Sequence, residues 1–187
     1  MTKIAGKSTT RSRRANATPS GELEAAEPVS IVAHRVSRKP VGSAPAFMAA
    51  PSRYAGAALL GLPLTGLLLS GAVERGIGFD KLQVLSDALK STPYEIAETL
   101  HISESTLLRR KKEGKLQPDE SDRLLRLGQI VAKAIQLFEG DRDAARAWLH
   151  RPALALGGAT PLRYSQTYLG AQEVEDLIER LEEGIFS

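Results

Sequence analysis

Four cations, Arg109, Arg110, Lys111 and Lys112, follow one another a few residues after Ser105 and Thr106, and Lys115 stands close behind. Guanidinium and ammonium groups donate to anionic oxygens, and hydroxyls both donate and accept. Such residues together suit a duplex nucleic acid. Ser105, Thr106 and Arg109 are the candidates for base edges. Arg109 matches guanine O6 and N7, a pairing worth about 1–3 kcal/mol of discrimination. Arg110, Lys111, Lys112 and Lys115 are the candidates for phosphates, supplying affinity and salt dependence rather than sequence choice. The same run also reads as a solvated helix end opposing the helix dipole. Glu104 would face phosphates, but it suits a helix N-terminus electrostatically.

Other chemistries find little support. The 187 residues include no cysteine, which removes disulfides, thiolate metal sites and a cysteine nucleophile. The histidines, His34, His101 and His150, form no i, i+4 pair. No P-loop and no GxGxxG string occurs, and no two carboxylates stand at a spacing that demands catalysis. The expectation is a non-enzyme with no metal and no cofactor.

Helices must position the cationic run. Leu82, Leu85 and Leu89 fall at helical spacing, with Val84 and Ala88 beside them. Thr92 suits an N-cap and Pro93 the first helical position, so 93–100 reads as two turns with Ile96, Ala97 and Leu100 inward. Ser103 is a second N-cap, 104–114 a second short helix, and Gly114 its stop. Ala97 permits a close crossing, and Leu100, Ile102 and Leu107 form the wedge between the two helices. This is a helix-turn-helix pattern. The string Ala97, Leu100, Ile102, Ser103, Thr106, Leu107, Arg109 resembles the Xre type of bacterial repressor domain. Two positions depart from it. His101 stands where glycine is usual, at a position that often needs positive φ, which histidine tolerates better than most residues. Arg110 stands where an apolar residue is usual.

Charge is unevenly placed. The net +3 combines a basic leader, residues 1–56, with an acidic remainder. Residues 1–50 are rich in Ala, Ser, Thr, Pro and Gly and show no period, so the expectation is a flexible tail over 1–55. Its RSRR at 11–14 would touch phosphates without sequence preference, or simply be solvated. The uncharged run 56–73 has the length of a membrane span. Gly56, Gly61, Pro63, Gly66 and Gly71 weaken a continuous helix there. It reads instead as an extended or turning segment, 59–63, and a short helix, 67–75, whose side chains join the core. No membrane partner is expected.

Downstream, residues 118–121 open a long helix with the stripe Leu124, Leu127, Val131, Ala134, Ile135, Phe138, ended by Gly140. That stripe packs on its own domain or lends part of its face to a homodimer. Asp141 caps a helix carrying Ala145, Trp148 and Leu149, with Trp148 as a core anchor rather than a ligand contact. Leu154 and Leu156 pack, Gly157 and Gly158 make a tight turn, Thr160 and Pro161 start a helix that Gly170 ends, and Val174, Leu177, Ile178 and Leu181 line a final one.

The residues Ala145, Trp148, Leu149, Pro152, Ala155, Leu156, Gly157, Gly158, Thr160, Pro161, Leu162, Gly170, Val174, Glu182 and Gly184 resemble the C-terminal toxin-binding domain of the Xre/MbcA/ParS antitoxins. AVERGIGF at 72–79 and ESDRLLRL at 120–127 extend the likeness, while Ala153 stands where Asn is usual. The resemblance implies an all-α protein in three parts: a disordered tail (1–55), a helix-turn-helix domain with a long helix (56–138), and a small helical toxin-binding domain (139–187). It implies a cytoplasmic antitoxin that occludes a RES-type, NAD-degrading toxin and, as a homodimer, represses its own operator DNA. The toxin-facing candidates are Leu156, Gly157, Gly158, Tyr168, Ile185, Phe186 and Ser187, with Phe186 folding back onto its own domain as the alternative. A stand-alone helix-turn-helix regulator is the rival reading, and a membrane-tethered adaptor using 56–73 a third.

Overall fold

The computed structural model describes residues 46–184. The expected tail motif at 11–14 and the toxin-facing candidates Ile185, Phe186 and Ser187 lie outside the described residues. Among the described residues, all regular structure is helical, and the one β-type contact is an isolated bridge between Gly78 and Lys115.

The longest helix organises the rest. Helix α6, Pro118–Leu137, is 20 residues long, begins with Pro at its N-terminus and carries a Gln117/Glu120 capping box. Helices α1 (Ala55–Leu59), α2 (Gly66–Arg75), α3 (Asp80–Leu89), α7 (Arg142–Leu149) and α9 (Tyr168–Glu182) pack around it. Leu124, Leu127, Ile130, Val131, Ala134 and Ile135 are all buried. Burying each such Leu, Ile or Val contributes roughly 1.5–3 kcal/mol. The chain's own helices thus cover the stripe as far as Ile135, and Phe138 at its end is partly buried.

The uncharged run folds differently from the expectation. Helix α1 starts at Ala55 and lies on α6 with Ala55, Gly56, Ala57 and Leu59 buried. Contact there is so close that a Cβ on Gly56 would lie 2.4 Å from the Gln129 nitrogen. The Gln129 side chain closes the joint, accepting from the Gly56 amide at 2.7 Å and donating to the Ser52 carbonyl at 2.5 Å. Residues 46–55, read as part of the tail, include two 3-10 turns, Ala46–Ala49 and Ser52–Tyr54, ahead of α1. Helix α2 lies where a short helix was expected but joins the core only through partly buried Val73, has no fully buried residue, and leaves Leu67 86% exposed. No helix among the described residues is long and apolar enough to cross a membrane.

Candidate functional site

The cationic run sits on α5 (Glu104–Glu113), behind α4 (Pro93–Thr99). Thr92 and Glu95 form a reciprocal capping box that starts α4, the Thr92 amide donating to Glu95 at 2.7 Å. His101 occupies the turn with φ of 55°, the left-handed conformation that the glycine of the motif suggested. Ile96, Ala97, Leu100, Ile102 and Leu107 are buried between the helices. Ser103 then caps α5: its hydroxyl accepts from the Thr106 amide at 3.4 Å and lies 3.2 Å from the Ser105 hydroxyl. Behind α5, the Leu116 amide donates to the Ile77 carbonyl and the Ile77 amide to the Ser121 hydroxyl, both at 2.9 Å. These bonds tie the segment after α5 to the α2–α3 connection and the first turn of α6.

Ser105, Arg109, Lys111, Lys112 and Lys115 are exposed, and Thr106 is half-buried. The Arg109 guanidinium reaches only a loose 3.9 Å from Glu113, and the Lys115 ammonium donates to the Arg75 carbonyl at 3.4 Å. Arg110 corrects the sequence reading. Its side chain is 8% exposed, and it donates to Glu120 through Nε at 2.7 Å and Nη2 at 3.0 Å, and to Glu113 at 2.8 Å. Those hydrogen bonds, Glu120 first, hold its pKa above the ordinary arginine value. A guanidinium consumed in this way is a core element that pins α5 to α6, not a phosphate contact. Glu120 also accepts from the Gln117 amide at 2.8 Å, so one carboxylate starts α6 and neutralises Arg110.

The second group of candidates lies beyond α7, which Asp141 caps as expected. Trp148 is partly buried, packed on the core and 6.4 Å from the Phe138 ring centroid. Residues 153–159 close on themselves: the Ala153 amide donates to the Ala159 carbonyl, and the Gly158 amide to the Ala153 carbonyl, both at 3.0 Å. Gly157 and Gly158 both have positive φ and are exposed. Leu156 is a second correction. It is 4% exposed, a plug that holds the loop to the core, whereas Leu154, expected to pack, is 92% exposed. Leu156 packs, as its apolar pairing with Leu154 predicted, which is incompatible with its toxin-facing role, while Leu154 does not pack, because the 3-10 turn Leu154–Leu156 directs only its last residue inward.

Thr160 and Pro161 start α8 (Pro161–Tyr164) as expected. Gly170, read as the end of that helix, lies in the first turn of α9, where Thr167 caps its amide at 3.0 Å. A Cβ there would lie 1.9 Å from the Tyr164 carbonyl oxygen, so glycine is required by close approach. Tyr168 is exposed, with the Arg126 guanidinium 5.5 Å from its ring centroid. With Leu169, which is also exposed, it borders an open concavity of about 420 Å³ flanked by Glu173, Asp176 and Glu179. Sequence reasoning did not single out the exposure of Leu154 and Leu169, and the latter's place next to Tyr168 was the available signal. Among the described residues, no cluster of His, Asp or Glu could hold a metal ion.

Comparison with known proteins follows the same division. The antitoxin Xre-like helix-turn-helix domain model matches residues 69–128, and the antitoxin Xre/MbcA/ParS C-terminal toxin-binding domain model matches residues 133–184. Antitoxin Xre of Yersinia enterocolitica is 34% identical over 130 residues, which span 68% of this chain and 88% of that protein. Antitoxin Xre of Photorhabdus laumondii is 43% identical over 74 residues, 40% of this chain and 50% of that protein. A Prs ADP-ribosylating antitoxin of Sphingobium is 26% identical over 128 residues, 63% of this chain and 79% of that protein.

Proposed function

Because this chain belongs to the Xre antitoxin family, toxin-neutralising proteins with a helix-turn-helix domain, we propose that it blocks a RES-type, NAD-degrading toxin and represses its own operon. The carrying observation is the joint match of both parts in one chain, each part presenting a distinct exposed surface. The toxin faces the C-terminal part through Gly157, Gly158, Tyr168, Ile185, Phe186 and Ser187, with exposed Leu154 and Leu169 added and buried Leu156 supporting them from below. Operator DNA faces α5, with Ser105, Thr106 and Arg109 at base edges and Lys111, Lys112 and Lys115 at phosphates. The mechanism is steric occlusion plus operator binding, with no reaction of its own, in the cytoplasm.

The repressor acts as a homodimer. With most of the α6 stripe covered, the exposed cluster of Leu64, Leu67 and Leu68 around α2 is the surface that offers itself to a second copy. Light scattering of the purified chain tests this: a monomer at micromolar concentration rejects it.

Co-expression with the neighbouring reading frame tests the main reading. The expected result is rescue of growth, co-purification of the two proteins and a mobility shift of upstream DNA. No rescue and no complex would reject it. The Sphingobium relative, named for ADP-ribosylation, raises a second reading, in which the toxin cleaves NAD, releases nicotinamide and passes the ADP-ribosyl group to a target molecule rather than to water. Loss of cellular NAD on toxin expression with no ADP-ribosyl adduct supports the first. An ADP-ribosyl adduct on a target molecule supports the second.

A further inference from the structure

Helix α5 contains adjacent leucines with opposite fates. Leu107 is 3% exposed in the wedge, while Leu108 is 45% exposed. An isolated exposed leucine is ordinary. Its surroundings single this one out. Helical spacing puts Glu104 and Ser105 one turn before it and Lys111 and Lys112 one turn after it, all exposed, with exposed Arg109 alongside. Leu108 is therefore the apolar centre of a polar, mostly cationic face.

That face suits a polyanion, and a duplex docked on it would cover Leu108. Base edges in the major groove are lined with donors and acceptors, which a leucine would leave unpaired at a cost of about 1–3 kcal/mol each. The apolar feature of that groove is the C5-methyl group of thymine. We propose that Leu108 is a specificity-determining residue that reads a thymine methyl group in the major groove, one position along α5 from the guanine-reading Arg109. This rests on the DNA-binding role proposed for α5. The half-site accordingly contains a thymine next to, or one step from, a guanine. Glu104, one turn toward the helix N-terminus, faces the same groove and disfavours a phosphate there.

Removal of one methyl contact should weaken binding about fourfold per half-site, the worth of one buried methyl-sized group. The test uses the full chain and its own upstream DNA, amplified with either thymidine or deoxyuridine triphosphate, so that the probes differ in the C5-methyl alone and carry no methylcytosine. Wild type is expected to bind the uracil duplex at least about fourfold more weakly. Leu108→Ala is expected to bind thymine DNA with that same loss and to show no further loss on uracil DNA. Single thymine-to-uracil replacements should then locate the effect at one position per half-site. Equal affinity of wild type for the two duplexes overturns the proposal. So does an undiminished uracil penalty in Leu108→Ala, or a change in its oligomeric state that explains the weaker binding. If wild type binds no upstream DNA, the DNA-binding reading fails first and this one with it. Thermal unfolding of Leu108→Ala within a degree or two of wild type excludes a folding explanation.

Discussion

Helices α5 and α9 both bury one face and show the other to solvent, yet the exposed faces are chemically opposed. On α5 it holds Ser105, Arg109, Lys111 and Lys112, with Leu108 as its lone apolar side chain. On α9 it holds Glu173, Asp176, Glu179 and Glu182, with Tyr168 and Leu169 together at the N-terminal end. A cationic face with dispersed hydroxyls fits a regular polyanion, where affinity comes from many equivalent phosphates. An apolar pair beside an acidic flank fits a protein, where a few buried anchors carry most of the binding energy. Losses on α5 should therefore be graded and salt-dependent, and losses in the C-terminal part abrupt and local.

The largest effect should come from a residue on neither face. Arg110 belongs to α5 by sequence but to the core by packing, and Glu120 is its main partner. Glu120→Ala leaves a buried guanidinium with only Glu113 and removes the α6 capping box. Denaturant unfolding should show a loss of about 3–5 kcal/mol. The pair Arg110→Met with Glu120→Gln keeps the cap acceptor and removes the buried charges, and should recover most of that loss. Its salt slope for DNA should equal that of wild type. A slope reduced by one in the recovered variant would return Arg110 to the phosphate contacts.

Next comes the apolar anchor. Leu154→Asp should weaken the toxin complex by about 2 kcal/mol or more if Leu154 seats in a partner pocket. It should leave unfolding within about 0.5 kcal/mol of wild type, because the side chain is 92% exposed. Leu156→Ala makes the contrast, with a cost of about 2–5 kcal/mol in stability. Pull-down alongside thermal unfolding separates the two. A Leu154→Asp variant that still retains the toxin would end the proposed role of the 153–159 loop.

On α5 the effects divide by contact type. Arg109→Ala should cost about 1–3 kcal/mol on the operator and relax the choice at one base. Lys112→Ala should weaken every sequence alike and lower the salt slope by about one. Competition binding at several salt concentrations distinguishes them. If Arg109→Ala proves sequence-independent, that guanidinium is a phosphate contact like its neighbours.

Much of this architecture was legible because its signals are local. Thr92 with Pro93, Ser103, Asp141 and Thr160 with Pro161 each cap the helix they precede, and a cap needs only its own next turn. His101 was legible through its departure from glycine. What was missed depends on distant neighbours. Gly56 looked like a helix weakener, but the α6 backbone passing 2.4 Å from a would-be Cβ requires it. Leu67 looked like core, but no element among the described residues covers it. Arg110 was half legible: it stands three residues after Leu107 at a position usually apolar, which places it on the buried face. Only the Glu120 carboxylate, ten residues onward, shows how the charge is tolerated there.

The smallest predicted effect concerns the other buried cation. The Lys133 ammonium, with a side chain 6% exposed, donates to Glu175 at 2.7 Å and Glu179 at 2.9 Å, joining α6 to α9. Burial pulls its pKa down, but the two carboxylate hydrogen bonds outweigh this, and the pKa lies above the ordinary lysine value. The sign of the linkage follows. A raised folded-state pKa means that the charged lysine's stabilisation is fully present below the unfolded value, about 10.4, and is lost as pH climbs through the folded value. Between pH 6 and about 9 this pair should add no slope to the stability curve, and above pH of about 10.4 it should add a falling one. Lys133→Met keeps the buried stem and removes the ammonium, while Glu179, more than half exposed, stays hydrated. Urea unfolding at pH 7, 9 and 11 should therefore show the gap between wild type and variant narrowing only at the last. A gap that stays constant to pH 11 would mean that the ammonium adds nothing to the α6–α9 contact, leaving the apolar packing of Val174 and Ile178 to hold the acidic helix in place.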